Sequence, residues 1–178
     1  MCRVFDLLKM GTYQLLYGKS VRFAGLPRLR WGSQIKVKSG TAIIGKHLHL
    51  NRGAYIAVLD QGIVFVGDDV SFNRNCMVIC HKSIHIGNGC IFGPNVLIYD
   101  HDHRFDNEGI KPGYRVSDVV VENGCWIGAG VTILRGTHIG EKSVIGAGCI
   151  VSGEIPPHSL VTMDRALNIS TIQKLSIK

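Results

Sequence analysis

The sequence predicts an all-β fold in which short strands wind into a triangular prism, and three observations lead to this prediction. Hydrophobic residues make up 46% of the 178 positions and charged residues 19%, which suits one domain with a sizeable core. Glycine is abundant at 22 residues, whereas aromatic residues reach only 7%. An aliphatic residue also recurs every six positions over much of the chain. Such a period predicts repeated strand-and-turn units and not helices.

The six-residue ladder is clearest after residue 118. Its aliphatic members are Val121, Ile127, Ile133, Ile139, Ile145 and Val151, and a smaller residue precedes each by two positions (Val119, Cys125, Val131, Thr137, Ser143 and Cys149). The same spacing links Ile86, Phe92 and Ile98, then Val66, Phe72 and Val78, and more weakly Ile44, Leu50 and Ile56. Three six-residue units would close one coil of about eighteen residues, with each aliphatic side chain pointing inward.

This pattern is typical of the left-handed parallel β-helix of hexapeptide-repeat proteins. We expect a cap segment over residues 1–33, the β-helix over 34–161 and a tail over 162–178. Apolar residues at positions 4, 5, 7, 8, 15 and 16 predict one or two amphipathic helical turns in the cap segment, packed over the open end of the β-helix. Three of the six cysteines occupy the small-residue position of the ladder, so we expect packing roles for them.

The longest break in the ladder lies between Ile98 and Val121. It contains the segment YDHDHRFDNEG, residues 99–109, which holds three aspartates and two histidines. A prism interior cannot accept these charges, so residues 100–118 must leave it as a protruding loop, where functional residues are often found. His101 and His103 in this loop offer a general base, because imidazole titrates near neutral pH.

Two runs carry a resemblance to a known family: IHIGNGCIFGPNVLIYDHDHRFD, and NGCWIGAGVTILRGTHIGEKSVIGAGCIVSGEIPPHSL. Together they resemble the maltose and galactoside acetyltransferase branch of the hexapeptide acyltransferases, which includes O-acetyltransferases of surface-polysaccharide assembly. The resemblance implies a homotrimer that binds acetyl-CoA between adjacent β-helices and requires no metal. It also implies that a loop histidine takes the proton of an acceptor hydroxyl, which then attacks the thioester directly.

The resemblance also assigns residues on the acceptor side. The segment His103-Arg104-Phe105-Asp106 matches the family's histidine segment, which makes His103 the expected base and His101 the second candidate. Asn73 falls at the family's acceptor-binding asparagine, with Asn75 as its neighbour. His81 stands where the family has an acidic acceptor-contact region, a departure that fits an acidic acceptor.

On the cofactor side, Trp126 matches a tryptophan beside the acyl-transfer cleft, near both acceptor and cofactor. Ala129 and Ala147 match positions whose backbone amides bind the pantetheine arm of CoA. Ser152 lies near the adenine end, and Arg135 is a candidate for the CoA phosphates. The tail lacks the Gly-x-Pro-Ala segment that usually helps to enclose CoA.

Charge is distributed unevenly along the chain. Residues 1–55 hold ten lysines or arginines and a single acid, Asp6, whereas the remainder holds ten basic and twelve acidic residues. This basic region is a solvated face or a contact with an anionic surface, such as a membrane.

The chain has no nucleic-acid recognition motif, no apolar run long enough to span a membrane and no export signal. We therefore expect a cytoplasmic enzyme, with peripheral contact at the inner face of the membrane as the alternative role of the cap segment.

The leading functional prediction is an acetyl-CoA-dependent O-acetyltransferase that modifies a sugar hydroxyl in surface-polysaccharide biosynthesis. A small sugar or an antibiotic remains open as the acceptor. A second class is a zinc hydratase like the γ-carbonic anhydrases, with His81, His101 and His103 as ligands. A scaffold without activity is the third reading, and the two loop histidines weigh against it.

Overall fold

The computed structural model describes residues 2–163, which form one helix, one 3-10 turn and 22 strands. The helix α1 spans Cys2–Tyr17, and the 3-10 turn spans Gly18–Ser20. Twenty short strands form the three sides of a parallel β-helix, with seven, seven and six strands per side. The all-β solenoid predicted from the sequence, a left-handed parallel β-helix, is confirmed.

The strands of the three sides follow one another in strict rotation. Side A holds β1 (Val21–Phe23), β4 (Thr41–Ile44), β7 (Ile63–Val66), β10 (Ser83–Ile86), β15 (Val119–Val121), β18 (His138–Ile139) and β21 (Glu154–Ile155). Side B holds β2 (Arg28–Leu29), β5 (His49–Leu50), β8 (Ser71–Phe72), β11 (Ile91–Phe92), β16 (Trp126–Ile127), β19 (Val144–Ile145) and β22 (Leu160–Val161). Side C holds β3 (Gln34–Val37), β6 (Tyr55–Val58), β9 (Met77–Cys80), β12 (Leu97–Tyr99), β17 (Thr132–Ile133) and β20 (Ile150–Val151). The remaining strands, β13 (His101–Asp106) and β14 (Gly109–Val116), form a separate antiparallel pair.

The core is a stack of the predicted ladder residues. Every aliphatic residue of the ladder named above is buried, and so is every smaller residue that precedes one after residue 118. Equivalent residues pair across successive coils: Ile84 lies opposite Val64 on one side and Val119 on the other. Phe72 and Phe92 stack with ring centroids 4.5 Å apart. Each buried side chain therefore stacks on the equivalent side chain of the next coil, which explains why the six-residue period is so strict.

The coils lie close together at the edge where side B turns into side C. A Cβ atom added to Gly93 would lie 2.6 Å from the backbone nitrogen of Ala129, and one added to Gly128 would lie 2.6 Å from that of Ala147. Asn75 and Asn95, at the same edge, adopt positive φ angles of 57° and 58°, which asparagine tolerates better than most residues. The edge therefore has a smooth surface of small residues.

The helix α1 differs in length from the sequence prediction. It runs for 16 residues instead of one or two turns, and the solenoid already begins at Val21, whereas the sequence placed its start at residue 34. The described residues end at 163, so the predicted tail lies almost entirely outside them. No helix of the described residues is long and apolar enough to cross a membrane.

The helix α1 closes the first coil with polar side chains. The amides of Arg28 and Arg30 point towards the second coil and bind its carbonyl groups, so the intervening amide of Leu29 points away from it. The carboxylate of Asp6 accepts that amide at 2.9 Å. The hydroxyl of Tyr13 accepts the amide of Ile35 at 3.0 Å in the same way. These side chains replace the missing neighbouring coil, because a buried amide without a partner is costly.

Candidate active site

The segment YDHDHRFDNEG leaves the prism from His101 onwards, whereas Tyr99 still belongs to β12 and Asp100 is buried. Strands β13 and β14 form a hairpin in which His101 pairs with Val116 and His103 with Tyr114. The hairpin emerges from the edge where side C turns into side A, between β12 and β15. The ladder resumes at Val119, so the hairpin is an insertion on an otherwise continuous scaffold.

The carboxylate of Asp100 fixes the base of the hairpin. Asp100 is fully buried, and its oxygens accept the backbone amides of His81 at 2.9 Å, Lys82 at 2.6 Å and Ser83 at 3.0 Å. These three amides belong to the bulge of the preceding coil, between β9 and β10. One side chain therefore ties the hairpin to a place where the ladder step is eight residues, from Val78 to Ile86, instead of six.

The same carboxylate orients the imidazole of His101. The Nδ1 atom of His101 lies 3.1 Å from Oδ1 of Asp100, and its side chain is 14% exposed. Burial lowers the pKa of His101 below its usual value, a shift that the Asp100 carboxylate partly opposes and neighbouring His81 and His103 reinforce. A neutral imidazole whose Nδ1 donates to a carboxylate keeps Nε2 as a proton acceptor, which is the arrangement that a general base requires.

A second imidazole lies against the first. His81 packs with its ring centroid 4.0 Å from that of His101, and its Nδ1 atom lies 2.8 Å from Oδ2 of Asp60. Asp60 and Gln61 both adopt positive φ angles, 49° and 62°, in a tight turn closed by the amide of Gly62 on the carbonyl of Leu59. This strained turn presents the Asp60 carboxylate to His81.

Tyr114 of β14 completes the cluster. Its ring centroid lies 4.3 Å from His81, 5.1 Å from His101 and 4.9 Å from His103. The cluster thus joins three imidazoles around one phenol ring. His103 is the exposed member, and among the described residues no carboxylate orients its ring. Geometry therefore favours His101 over His103 as the base, although the sequence ranked them in the opposite order; the role of His103 stays a prediction.

A narrow groove runs along the edge between sides B and C. It has a volume of about 440 Å³ and is lined by Gly93, Pro94, Trp126, Gly128, Ala129, Val144, Ile145, Gly146 and Ala147. Trp126 is 57% exposed beside it. Within the described residues, the amides of Ala129 and Ala147 make no hydrogen bond. Small side chains with available amides suit an extended chain that carries amide carbonyl groups, as the pantetheine arm of CoA does.

The other predicted residues divide between these two edges. Asn73 and Asn75 lie on the groove edge, in an earlier coil, and both are exposed; the side chain of Asn73 accepts the amide of Arg74. Ser152 and Arg135 lie on the edge of the histidine cluster, in later coils. The guanidinium of Arg135 forms an ion pair with Asp102 of the hairpin. Arg135 thus holds the hairpin, and its predicted phosphate contact would require it to leave Asp102.

Sequence reasoning missed Asp60 and Tyr114, and it left open which aspartate orients a histidine. Asp60 lies 21 residues from His81, about one coil plus a bulge, so only the coil geometry brings the two together. Tyr114 lies on the far strand of a hairpin whose register, shifted between His103 and Arg104, has no repeat to reveal it. One signal was present: Asp100 directly precedes His101 at the end of a buried strand.

The geometry also bears on the zinc alternative. Across residues 2–163, no group of three or more His, Cys, Asp or Glu side chains is arranged to hold a metal ion. The rings of His81 and His101 pack against each other, and Asp60 and Asp100 engage their Nδ1 atoms. The described residues therefore give the zinc hydratase no ligand set.

Comparison with known proteins agrees with the fold. The family model described as bacterial transferase hexapeptide (six repeats) matches residues 118–153. A galactoside O-acetyltransferase of Lactococcus lactis is 38% identical over 94 residues, which are 52% of this chain and 45% of that protein. WbbJ of Escherichia coli K12, whose role as a lipopolysaccharide biosynthesis O-acetyl transferase is itself only proposed, is 29% identical over 132 residues, 68% of this chain and 67% of that protein.

The fold also matches solved structures. A hexapeptide-repeat acetyltransferase of Vibrio cholerae, crystallised with acetyl-CoA, superposes with a TM-score of 0.57 at 21% identity, covering 87% of this chain and 71% of that one. The likeness to this structure supports the fold, a parallel β-helix of hexapeptide repeats. Within the chain, the hexapeptide-repeat match itself extends over residues 118–153. It spans about half the length of several curated relatives that it matches.

The Asp100 network predicts a large loss of stability on substitution. Asp100→Ala leaves three backbone amides without their acceptor, and each buried unpaired donor costs about 1–3 kcal/mol. We expect the free energy of unfolding to fall by at least about 2 kcal/mol in urea denaturation. The matched control is Asp102→Ala on the same hairpin, whose half-exposed ion pair is expected to contribute less than about 1 kcal/mol. Equal losses in the two variants would contradict the assigned role of Asp100.

Proposed function

We propose that this protein is an acetyl-CoA-dependent O-acetyltransferase that acts on a sugar hydroxyl. The observation that carries the proposal is the pairing of His101 with buried Asp100 on a hexapeptide-repeat scaffold. The groove of small residues beside Trp126 supports it, because its available amides suit pantetheine. The names of the relatives, which include sugar O-acetyltransferases, point the same way.

In the proposed mechanism, Nε2 of neutral His101 accepts the proton of the acceptor hydroxyl. The oxygen then attacks the thioester carbon of acetyl-CoA and forms a tetrahedral intermediate, whose oxyanion requires a donor such as the amide of Ala129. Collapse breaks the carbon–sulfur bond, and the CoA thiolate takes the proton from His101. The products are the acetyl ester and free CoA, and His101 returns to its neutral form.

We propose further that the site is shared between the subunits of a homotrimer. The histidine cluster lies at the edge between sides C and A, whereas the groove lies at the edge between sides B and C. The whole width of side C separates the two edges within one chain. Packing of prisms side by side would bring the groove edge of one copy next to the histidine edge of another.

For the acceptor, we propose a sugar unit of a surface polysaccharide, modified on the cytoplasmic side where acetyl-CoA is available. The proposed role of WbbJ supports this choice. The histidine cluster offers three imidazoles and a phenol, which suit a hydroxyl-rich ligand. A small sugar is the second candidate, favoured by the galactoside acetyltransferase relatives.

Substitution of each histidine separates the two candidate bases. Removal of a general base typically slows a reaction by about 10²–10⁴-fold, so we expect that loss in kcat for His101→Ala. His103→Ala is the matched control, and we expect its kcat to change less than about tenfold because no carboxylate orients His103. The measurement is CoA release from acetyl-CoA with galactosides and polysaccharide fragments as acceptors. A larger loss of kcat in His103→Ala than in His101→Ala would favour His103 as the base, as the sequence predicted. No release of CoA with any acceptor would refute the proposed activity.

The pH profile tests the protonation state of the base. The pKa of His101 is lowered from 6.5, and only the neutral imidazole accepts a proton, so transfer is lost as the pH falls through the lowered pKa. We expect log(kcat/KM) to fall on the acidic side with a midpoint below pH 6.5. In the His103→Ala variant the acidic limb is expected to move slightly towards higher pH, because His103 helps to lower the pKa of His101. A midpoint above 6.5 would contradict the assignment of His101.

Mixed trimers test the shared site. In Ala147→Trp, a bulky side chain would fill the groove and block CoA, whereas His101→Ala removes the base and leaves the groove intact. If the two edges act across subunits, co-expression of these inactive variants is expected to restore part of the activity, because some interfaces combine a normal groove with a normal His101. Absence of recovery in verified mixed trimers would place both parts of the site within one chain.

A further inference from the structure

The outer face of helix α1 is apolar and exposed. Val4, Leu7, Leu8 and Leu15 lie on one side of the helix, and their side chains are 63%, 50%, 67% and 87% exposed. Their spacing of three, one and seven residues places them along one stripe. Phe5 and Leu16 flank the stripe at 41% and 67% exposure. Exposed apolar surface of this extent indicates an interaction site.

The opposite face of the helix is fixed to the solenoid by polar groups. Asp6 and Tyr13 accept amides of the first coil, and the ammonium group of Lys9 donates to the carbonyls of Arg30 and Ser33. The helix therefore cannot turn its leucines inward without breaking these contacts. Its apolar stripe is a rigid outer surface of the described chain.

The part of the sequence that contains this helix is strongly cationic. Residues 1–55 carry ten basic side chains and one acid. A basin on the inner side of the helix is lined by Arg28, Arg30 and His49, together with the carboxylates Asp6 and Asp69. Burial, and next the nearby Arg28 and Arg30, lower the pKa of His49, as a positive local potential would. Trp31, 75% exposed, lies 6.4 Å from Phe5 at the margin of the stripe, a position typical of tryptophan at membrane interfaces.

We propose that this surface docks the protein onto a membrane that contains anionic lipids. Helix α1 would lie in the plane of the interface, with its leucines among the acyl chains and the cations of the first coils against the headgroups. A second copy of the chain fits this surface less well, since two regions of charge +9 would repel each other. The inference is independent of the proposed activity, and docking would place the site near lipid-linked sugars.

Vesicle sedimentation tests the proposal without any enzymatic readout. The full chain is mixed with vesicles of phosphatidylglycerol and phosphatidylcholine, or of phosphatidylcholine alone. We expect at least tenfold stronger binding to the anionic vesicles, and weaker binding at high salt. Leu15→Asp is expected to reduce binding tenfold or more. The matched control is Ile110→Asp, because Ile110 at the hairpin is also highly exposed, at 78%, and this variant is expected to bind like the wild type.

The fluorescence of Trp31 gives a second readout. In a Trp126→Phe background, Trp31 is the only tryptophan, and its emission is expected to shift to the blue with anionic vesicles. Three results would each overturn the proposal: no binding of the wild type, equal loss in Leu15→Asp and Ile110→Asp, or a change of oligomeric state in Leu15→Asp with vesicle binding unchanged. The last result would assign the stripe to a second copy of the chain.

Discussion

Every coil of this solenoid depends on its neighbours for backbone hydrogen bonds. Amides of one coil bind carbonyls of the next, as those of Ala24, Gly45 and Gly67 do along side A. Wherever the stack ends or is interrupted, the backbone loses partners that no strand of its own can supply. A side chain must then take the place of the missing coil. The cap, the hairpin and the candidate site all follow from this requirement.

In the candidate site, Asp100 replaces a missing coil in this way and also orients the candidate base His101. Asp100 accepts three amides of the preceding bulge, and the same carboxylate holds Nδ1 of His101. The imidazole is thus oriented by a group whose position the solenoid determines. Rigid placement of this kind reduces the reorganisation that a proton transfer would otherwise require. It also means that the structural and electrostatic roles of Asp100 cannot be separated by removal of its side chain.

The sequence predicted the solenoid well because its interior repeats. Ile127, Ile133 and Ile139 occupy equivalent buried positions, so a single period describes all of them. The departure of a loop over residues 100–118 was equally predictable, since a row of charges cannot enter that interior, although the first of them, Asp100, is buried on backbone amides. The partners of the histidines were not, because the Asp60–His81 contact joins two bulges of unequal length, and bulges obey no period. The length of α1 was underestimated because Gly11 and the polar inward residues weaken its amphipathic pattern.

The two faces of helix α1 differ in what the cap requires of them. Closing the first coil requires oxygen acceptors on the inner face, and Asp6 and Tyr13 supply them. Nothing in that task calls for leucine on the outer face, where lysine or glutamate would serve a solvated helix better. Polar residues in place of Leu8 and Leu15 would therefore serve the cap equally well. Their exposure is a cost in solubility that the fold does not impose, and so it has to be explained by what the helix contacts outside its own chain.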